Sequence, residues 1–204
     1  VVLLAGIWIG PLPGLARTSF AAHMLMHMGV VAVAAPLLAM AVAGSRYDPV
    51  RRVAWLGAPL AASMVELVIV WGWHAPTMHE AARHGVAVLA LEQLSFLFAG
   101  VLLWVAVLGG DREQRRRRAG AGVIALLFTS MHMTLLGALF ALSNRPLFHR
   151  AGDVAASVAS ADQHLGGAIM LLVGGASYLA GGMWLTAEML RGGNARAVRR
   201  ESFS

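Results

Sequence analysis

Five long apolar stretches constrain the fold of this chain more than any other feature. They cover positions 19–43, 53–74, 85–108, 120–142 and 162–190, and each exceeds the roughly 20 residues that a helix needs to cross a bilayer. Only 13% of the 204 residues are charged and 58% are hydrophobic, which is too little charge to cover a soluble surface. The sequence therefore predicts a single all-α membrane domain over 1–204, with about five spanning helices. A short apolar segment at 1–10 is expected to be interfacial or the tail of a truncated helix, and 191–204 forms a polar tail.

The sixteen arginines are distributed unevenly between the two predicted membrane faces. Twelve lie in the loop after the first stretch, in the loop after the third and in the tail, whereas four lie on the opposite side. The positive-inside rule predicts a cytoplasmic tail and an external N-terminus. The high pI of about 11.4 is thus interpreted as a topology signal with membrane-lipid contacts. A nucleic-acid partner is not predicted.

All eight histidines fall toward the predicted outer face. Those inside the stretches or at their start are His23, His27, His132 and His164, and His74 is the last residue of the second stretch. Glu66 and Glu92 are predicted at a similar depth, and an ionisable group in a bilayer normally faces a partner, a cavity or a pathway. By contrast, His79, His84 and His149 are expected to be solvated loop residues. The sequence therefore predicts one polar layer, contributed by several helices.

The residue types in this layer indicate a metal site. His23 and His27 are four residues apart, which places both imidazoles on one helix face. Imidazole suits copper, zinc, iron and nickel, whereas the thioether of methionine selects Cu(I). Met24 and Met131 each stand next to a histidine in the sequence. Consecutive residues of a helix point about 100° apart, so a histidine and the methionines on both sides of it cannot all bind one ion. The chain has no cysteine, so thiolate and disulfide chemistry is excluded.

Four segments together resemble a known family. They are residues 19–27 (SFAAHMLMH), residues 73–76 (WHAP) with 91–96 (LEQLSF), residues 131–137 (MHMTLLG) and residues 161–167 (ADQHLGG). In this order they resemble the CtaG-type cytochrome c oxidase assembly proteins of bacteria, which are associated with caa3-type oxidases. The resemblance covers about residues 11–190. Two positions depart from the family pattern: relatives often have histidine where this chain has Gln93, and glutamine where it has Met26.

The resemblance implies a non-enzymatic, multi-pass factor of the bacterial inner membrane that helps to assemble a haem–copper oxidase. Copper, favoured as Cu(I), would be held near the outer face and delivered to an oxidase subunit, with a periplasmic copper chaperone as a possible donor. The implied metal ligands are His23, His27, His132 and His164, with His74 and Glu92 as possible contributors. The residue pattern adds Met24 and Met131 as possible ligands.

Other functions stay open at this point. His27 and His132 could be axial ligands of a haem, and three histidines with a carboxylate could form a metalloenzyme site. An ion or proton pathway through Glu66, Glu92 and His132 is disfavoured, because the inner halves of the first, third and fourth stretches lack polar groups. Asp162, near the start of the fifth stretch, could orient an imidazole, and an acid at that position would also suit the helix dipole. The glycines of the fifth stretch at 167, 174 and 181 are compatible with a homodimer or with packing within one chain.

Overall fold

The computed structural model describes residues 2–145, 147 and 156–201, with side chains described for 2–145, 147 and 157–191. The elements are α1 (Val2–Ile9), α2 (Leu12–Ala16), α3 (Phe20–Val42), α4 (Pro59–Trp73), α5 (Pro76–His84), α6 (Val86–Leu108), α7 (Arg112–Leu142) and α8 (Ala156–Ile169, Met170–Gly174 and Gly175–Glu201 in succession). No strand occurs within these described residues. Helices α3, α6, α7 and α8 are long and apolar enough to cross a membrane, which confirms the predicted all-α membrane bundle.

The second predicted span differs from the expected continuous helix. Its first residues form a short 3-10 turn at Ala54–Gly57, which follows another at Pro49–Arg51, and the apolar helix α4 begins only at Pro59. Proline is favoured at the first position of a helix, where its missing N–H costs nothing. The 15 residues of α4 extend for about 22 Å at 1.5 Å each. This helix is therefore shorter than the bilayer core of about 30 Å. The 3-10 turn at Ala54–Gly57 forms the N-terminal part of the predicted stretch.

The arginine-rich loop before the fourth span is helical. The side chain of Asp111 accepts a hydrogen bond from the backbone N–H of Gln114, whose side-chain oxygen accepts one from the N–H of Asp111. This reciprocal capping between Asp111 and the residue three positions later starts a helix immediately after Asp111. As a result, α7 begins at Arg112 rather than at the predicted position 120 and contains the run of arginines.

A wide π-helical segment, Gly29–Ala34, lies in the middle of α3. Pro36 follows it, and a proline leaves the carbonyl four residues earlier, here that of Ala32, without a helical N–H donor. The hydroxyl of Ser177 on α8 donates to this carbonyl at 2.8 Å. Because lipid offers no donor to a stranded carbonyl, this bond fastens the interior of α3 to α8.

Close contact between α7 and α8 depends on glycine. A Cβ on Gly167 would lie 2.7 Å from the carbonyl oxygen of Gly137, and still closer to the backbone nitrogen of Ala141. The other two glycines of the predicted small-residue face also pack within the chain: Gly174 against Met28 and Gly181 against Trp104. Small residues thus allow the backbones to approach, as expected for membrane helices.

Asp48 joins two loops at the end of the bundle that carries the arginines, called here the arginine end (loops 43–58 and 109–111). This fully buried carboxylate accepts from the backbone N–H groups of Gly44 at 2.7 Å, Val50 at 3.0 Å and Gly110 at 2.7 Å. Both glycines have positive φ, +72° and +86°, a conformation that other residues rarely adopt. The opposite end, formed by α5, the starts of α3, α6 and α8 and the ends of α4 and α7, is called the histidine end.

Candidate metal centre

The start of α3 presents two histidines to α6. Ser19 caps the helix by accepting from the N–H of Ala22, and the four-residue spacing then places His23 and His27 on one face. Their ring centroids are 4.3 Å apart with the rings perpendicular. Both side chains are at most 1% exposed, so the pair lies in the interior of the bundle.

Glu92 of α6 completes a buried trio with these two histidines. His23 Nε2 lies 3.3 Å from Glu92 Oε1 and 3.2 Å from Oε2, and His27 Nε2 lies 3.5 Å from Oε1. One donor atom from each of the three residues lies within 4.8 Å of the others. Two imidazoles and a carboxylate at such separations form a donor set that suits copper, zinc or iron.

Three potential metal-ligand atoms of the trio have no hydrogen-bond partner. His23 Nδ1, His27 Nε2 and Glu92 Oε2 are buried, and the neighbours of the latter two are near but not aligned for a bond. Leaving a buried polar atom unsatisfied costs about 1–3 kcal/mol, and more when it is charged. A metal ion bound to His27 Nε2 and Glu92 Oε2 would remove that cost for these two atoms, so the trio fits a metal.

Gln93 holds the far side of one imidazole. Its side-chain amide lies 2.8 Å from His27 Nδ1, and it is 4% exposed. The amide nitrogen can only donate, so in this arrangement Nδ1 accepts and the ring proton is on Nε2, which faces Glu92. Rotating the amide by 180° would bring its unpartnered Oε1 to Nδ1. Nδ1 would then carry the proton and leave the lone pair on Nε2 for a metal, the arrangement usual for metal-binding histidines. A position that departs from the family pattern thus contributes directly to the site.

His74, which follows α4, lies beside the trio. Its ring centroid is 5.7 Å from that of His27, and its Nδ1 donates to the carbonyl of Val70 at 2.7 Å. Because a carbonyl only accepts, the proton is on Nδ1 and Nε2 carries a lone pair. This Nε2 is buried without a partner. The predicted contributor is therefore placed next to the trio with its ligand atom unused.

His79 does not lie in solvent as expected from the sequence. It is 1% exposed, and its ring centroid is 4.6 Å from that of His23 and 5.4 Å from that of Phe20. The expectation was wrong because the short loop folds as α5 and packs against α6, turning His79 and Ala82 inward. Burial, followed by the neighbouring imidazoles, lowers the pKa of His79 well below its ordinary value, so the ring is neutral.

Two further histidines, His84 and His149, were predicted to be solvated loop residues. The side chain of His84 is 74% exposed and lies 2.7 Å from the carboxylate of Glu80, as expected for a solvated residue. His149 lies outside the described residues.

The comparison with known protein families supplies the identification. The model of a family described as cytochrome c oxidase caa3 assembly factor matches residues 1–192. The chain belongs to this family. Among curated proteins and solved structures, none matches.

The other predicted ligands of this caa3 assembly factor lie outside the trio. His132 of α7 is 2% exposed and packs at 5.6 Å from the ring of Phe128, with both ring nitrogens unpartnered. His164 of α8 is exposed, and its Nε2 lies 2.9 Å from the carbonyl oxygen of Ser143. Metal binding by His132 and His164 stays a prediction that their present positions do not favour.

The two methionines face away from the imidazoles. Met24 is buried and packs against Gly166 of α8, its Cγ 3.1 Å from where a Cβ on that glycine would lie. Met131 is 59% exposed on the outside of α7. Thioether ligation by Met24 and Met131 is likewise a prediction that the observed packing does not favour.

Asp162 binds a helix end rather than an imidazole. Its carboxylate accepts from the hydroxyl of Ser19 at 2.7 Å, and from the backbone N–H groups of Phe20 at 2.6 Å and Ala21 at 3.2 Å. A carboxylate at the N-terminus of a helix is stabilised by the helix dipole. The prediction that Asp162 orients a histidine was therefore wrong; it fixes the start of α3, which carries His23 and His27.

Glu66 belongs to a different polar group, deeper in the bundle. It is fully buried and accepts a short hydrogen bond from the hydroxyl of Tyr178 on α8. The ring of Tyr178 stacks on Trp104 at 5.7 Å. Glu66 therefore does not contribute a ligand to the trio, although the sequence placed both acids in one layer.

Proposed function

We propose that this caa3 assembly factor binds copper through His23, His27 and Glu92 and delivers it to a subunit of the oxidase. The observation that carries the proposal is the buried trio, in which one ligand atom of each residue lies within 4.8 Å of the others and in which His27 Nε2 and Glu92 Oε2 have no hydrogen-bond partner. A haem–copper oxidase needs copper for its maturation, and a carrier in the same membrane would supply it. The role is that of a carrier rather than an enzyme.

Charge balance favours Cu(I) as the cargo. Glu92 is the carboxylate that contacts the imidazoles, whereas Glu66 is bonded to Tyr178 and Asp162 to the start of α3. A monovalent ion beside one carboxylate and neutral imidazoles gives a site of zero net charge. A divalent ion would leave one uncompensated charge in a medium of low dielectric constant, which is costly. Neutral imidazoles can hold Cu(I) with two or three ligands, and such sites permit exchange.

The proposed orientation puts the histidine end outside a bacterial inner membrane and the arginine end in the cytoplasm. Its support is the twelve arginines on the side of the tail. Copper would then be received on the outer side, with a periplasmic copper chaperone as the proposed donor. A homodimer stays a prediction, and the three glycines that suggested it pack against helices of the same chain.

The test is a titration of the purified protein in detergent with Cu(I) under anaerobic conditions, against a chromophoric competitor. We expect one tightly bound copper per chain and a loss of affinity of about 100-fold or more in His27→Ala, since a lost ligand costs more than the 10- to 100-fold loss of an outer-shell partner. His84→Ala, a solvated histidine, is the matched control and should bind as the wild type does. A protein that binds no copper would refute the proposal, and a Soret band in its optical spectrum would instead assign haem.

A further inference from the structure

Four imidazoles form a row at the histidine end. In spatial order they are His79, His23, His27 and His74, with successive ring-centroid separations of 4.6, 4.3 and 5.7 Å. Glu92 lies beside the two middle members. Each ring is therefore close enough to its neighbour for an ion to be passed by a small movement of the side chains.

His79 also lines a small cleft that the trio does not reach. The cleft has a volume of about 30 Å³, and its wall includes Thr18, Phe20, His79, Arg83, Asp162 and Gln163. This volume accommodates one water molecule or an ion of similar size. Thr18 is exposed, so the cleft extends to the surface. His23, His27 and Glu92 do not contribute to its wall.

The charges around the cleft do not by themselves attract a free cation. The guanidinium of Arg83 donates to the carbonyl of Arg17 and lies 3.5 Å from Glu80. The carboxylate of Asp162 is directed to the start of α3. Because positive and negative side chains both surround the cleft, their combined field does not attract a cation. Entry of a metal ion therefore depends on a specific ligand, and the imidazole of His79 is such a ligand in the wall of the cleft.

We infer that His79 is the transfer ligand through which copper passes between the cleft and the trio. The inference rests on the proposed function. Copper first binds an imidazole nitrogen of His79; a bond to His23 then forms and the bond to His79 breaks. The ion stays monovalent and the imidazoles stay neutral, so neither an electron nor a proton needs to be supplied. Release to an acceptor follows the same steps in reverse.

The decisive experiment compares His79→Gln with His84→Gln, a solvated histidine on the same helix. Cu(I) loading and its release to a chelator are followed by stopped flow, and the equilibrium affinity is measured by competition. We expect loading and release in His79→Gln to slow by about tenfold or more, equivalent to about 1.4 kcal/mol in the barrier, with little change in affinity. His84→Gln should match the wild type in both.

Three results would overturn the inference. Wild-type rates in His79→Gln would show that copper does not pass this residue. A large loss of affinity with faster release would make His79 a ligand of the resting site. Wild-type rates in Thr18→Trp, which narrows the mouth of the cleft while keeping His79, would exclude the cleft as the route. In each case the wild type still binds copper, so these failures are distinct from failure of the proposed function, in which no variant binds it.

Discussion

Replacement of Glu92 by glutamine removes the charge of the buried trio and leaves its shape nearly unchanged. The donor atoms of the trio lie within 4.8 Å of one another, so a bound ion would be no more than about 4 Å from the carboxylate. At that distance and an effective dielectric constant of about 20, a unit charge pair is worth about 4 kcal/mol. An energy of this size corresponds to about 10³-fold in the dissociation constant.

The amide oxygen of glutamine keeps part of this interaction through its dipole. We therefore expect Glu92→Gln to weaken Cu(I) binding by about 100-fold, or about 2.7 kcal/mol. The assay is the anaerobic competition titration at constant pH and salt. Ag(I) is also monovalent. If charge balance explains the preference for Cu(I), the affinity for Ag(I) should fall in Glu92→Gln as well.

Glu66→Gln is the matched control, because Glu66 is equally buried but is bonded to Tyr178 and lies outside the trio. It should bind Cu(I) with the affinity of the wild type. A change of less than about threefold in Glu92→Gln, corresponding to about 0.6 kcal/mol, would refute the electrostatic reasoning. Equal losses in both variants would show that any buried carboxylate matters, whatever its position.

Two further predictions concern the scaffold. Gly167→Ala should destabilise the protein by about 1–3 kcal/mol, because the new Cβ overlaps the backbone of α7. Gly120→Ala is the control: a Cβ there has no atom within 4 Å, and the higher helix propensity of alanine should stabilise the protein by up to about 1 kcal/mol. Thermal unfolding in detergent measures both, and equal stability of the two variants would contradict the assigned contact. Asp48→Asn should lower the free energy of unfolding by about 2–3 kcal/mol, because three backbone N–H groups lose a charged acceptor. Amide hydrogen exchange at residues 44, 50 and 110 should become faster. Unchanged exchange at these residues would show that Asp48 does not hold the two loops together.

The parts of the fold that follow from one-dimensional patterns were predictable. Apolar length located the spanning helices, and the four-residue spacing placed His23 and His27 on one face. A rise of 1.5 Å per residue gave Glu92 a depth near theirs. These inferences needed no knowledge of the neighbouring helices, which is why His23, His27 and Glu92 could be assigned to one polar layer from the chain alone. That these three meet apart from the other predicted ligands could not be derived in this way.

Rotation of each helix about its own axis was not predictable in the same way. His132 and His164 have suitable depths, but the packing of α7 and α8 turns His164 to the surface and leaves His132 outside the trio. The glycine contact brings together the backbones of α7 and α8 at positions 30 residues apart, Gly137 and Gly167, and a contact of this kind does not follow from a local pattern. Depth along a helix is thus easier to derive than the direction in which a side chain points.

His79 was missed for a different reason. The ten residues between the second and third apolar stretches, 75–84, have no long periodic pattern, so the sequence predicts a solvated loop there. The signals for α5 were Pro76 at its start, Gly85 after its end, and His79 and Ala82 three residues apart on one face. Read together, they indicate a short helix with an inward side.

The bonds between α3 and α8 bear on the order in which the protein is made. Synthesis proceeds from the N-terminus, so α3 enters the membrane while α8 is still to be translated. Until then the carbonyl of Ala32 lacks Ser177, and the start of α3 lacks Asp162. The two histidines of α3 therefore acquire their final positions only when the last span arrives. If the trio binds copper as proposed, binding has to wait until translation is complete, because an unfinished chain lacks the contacts that position His23 and His27.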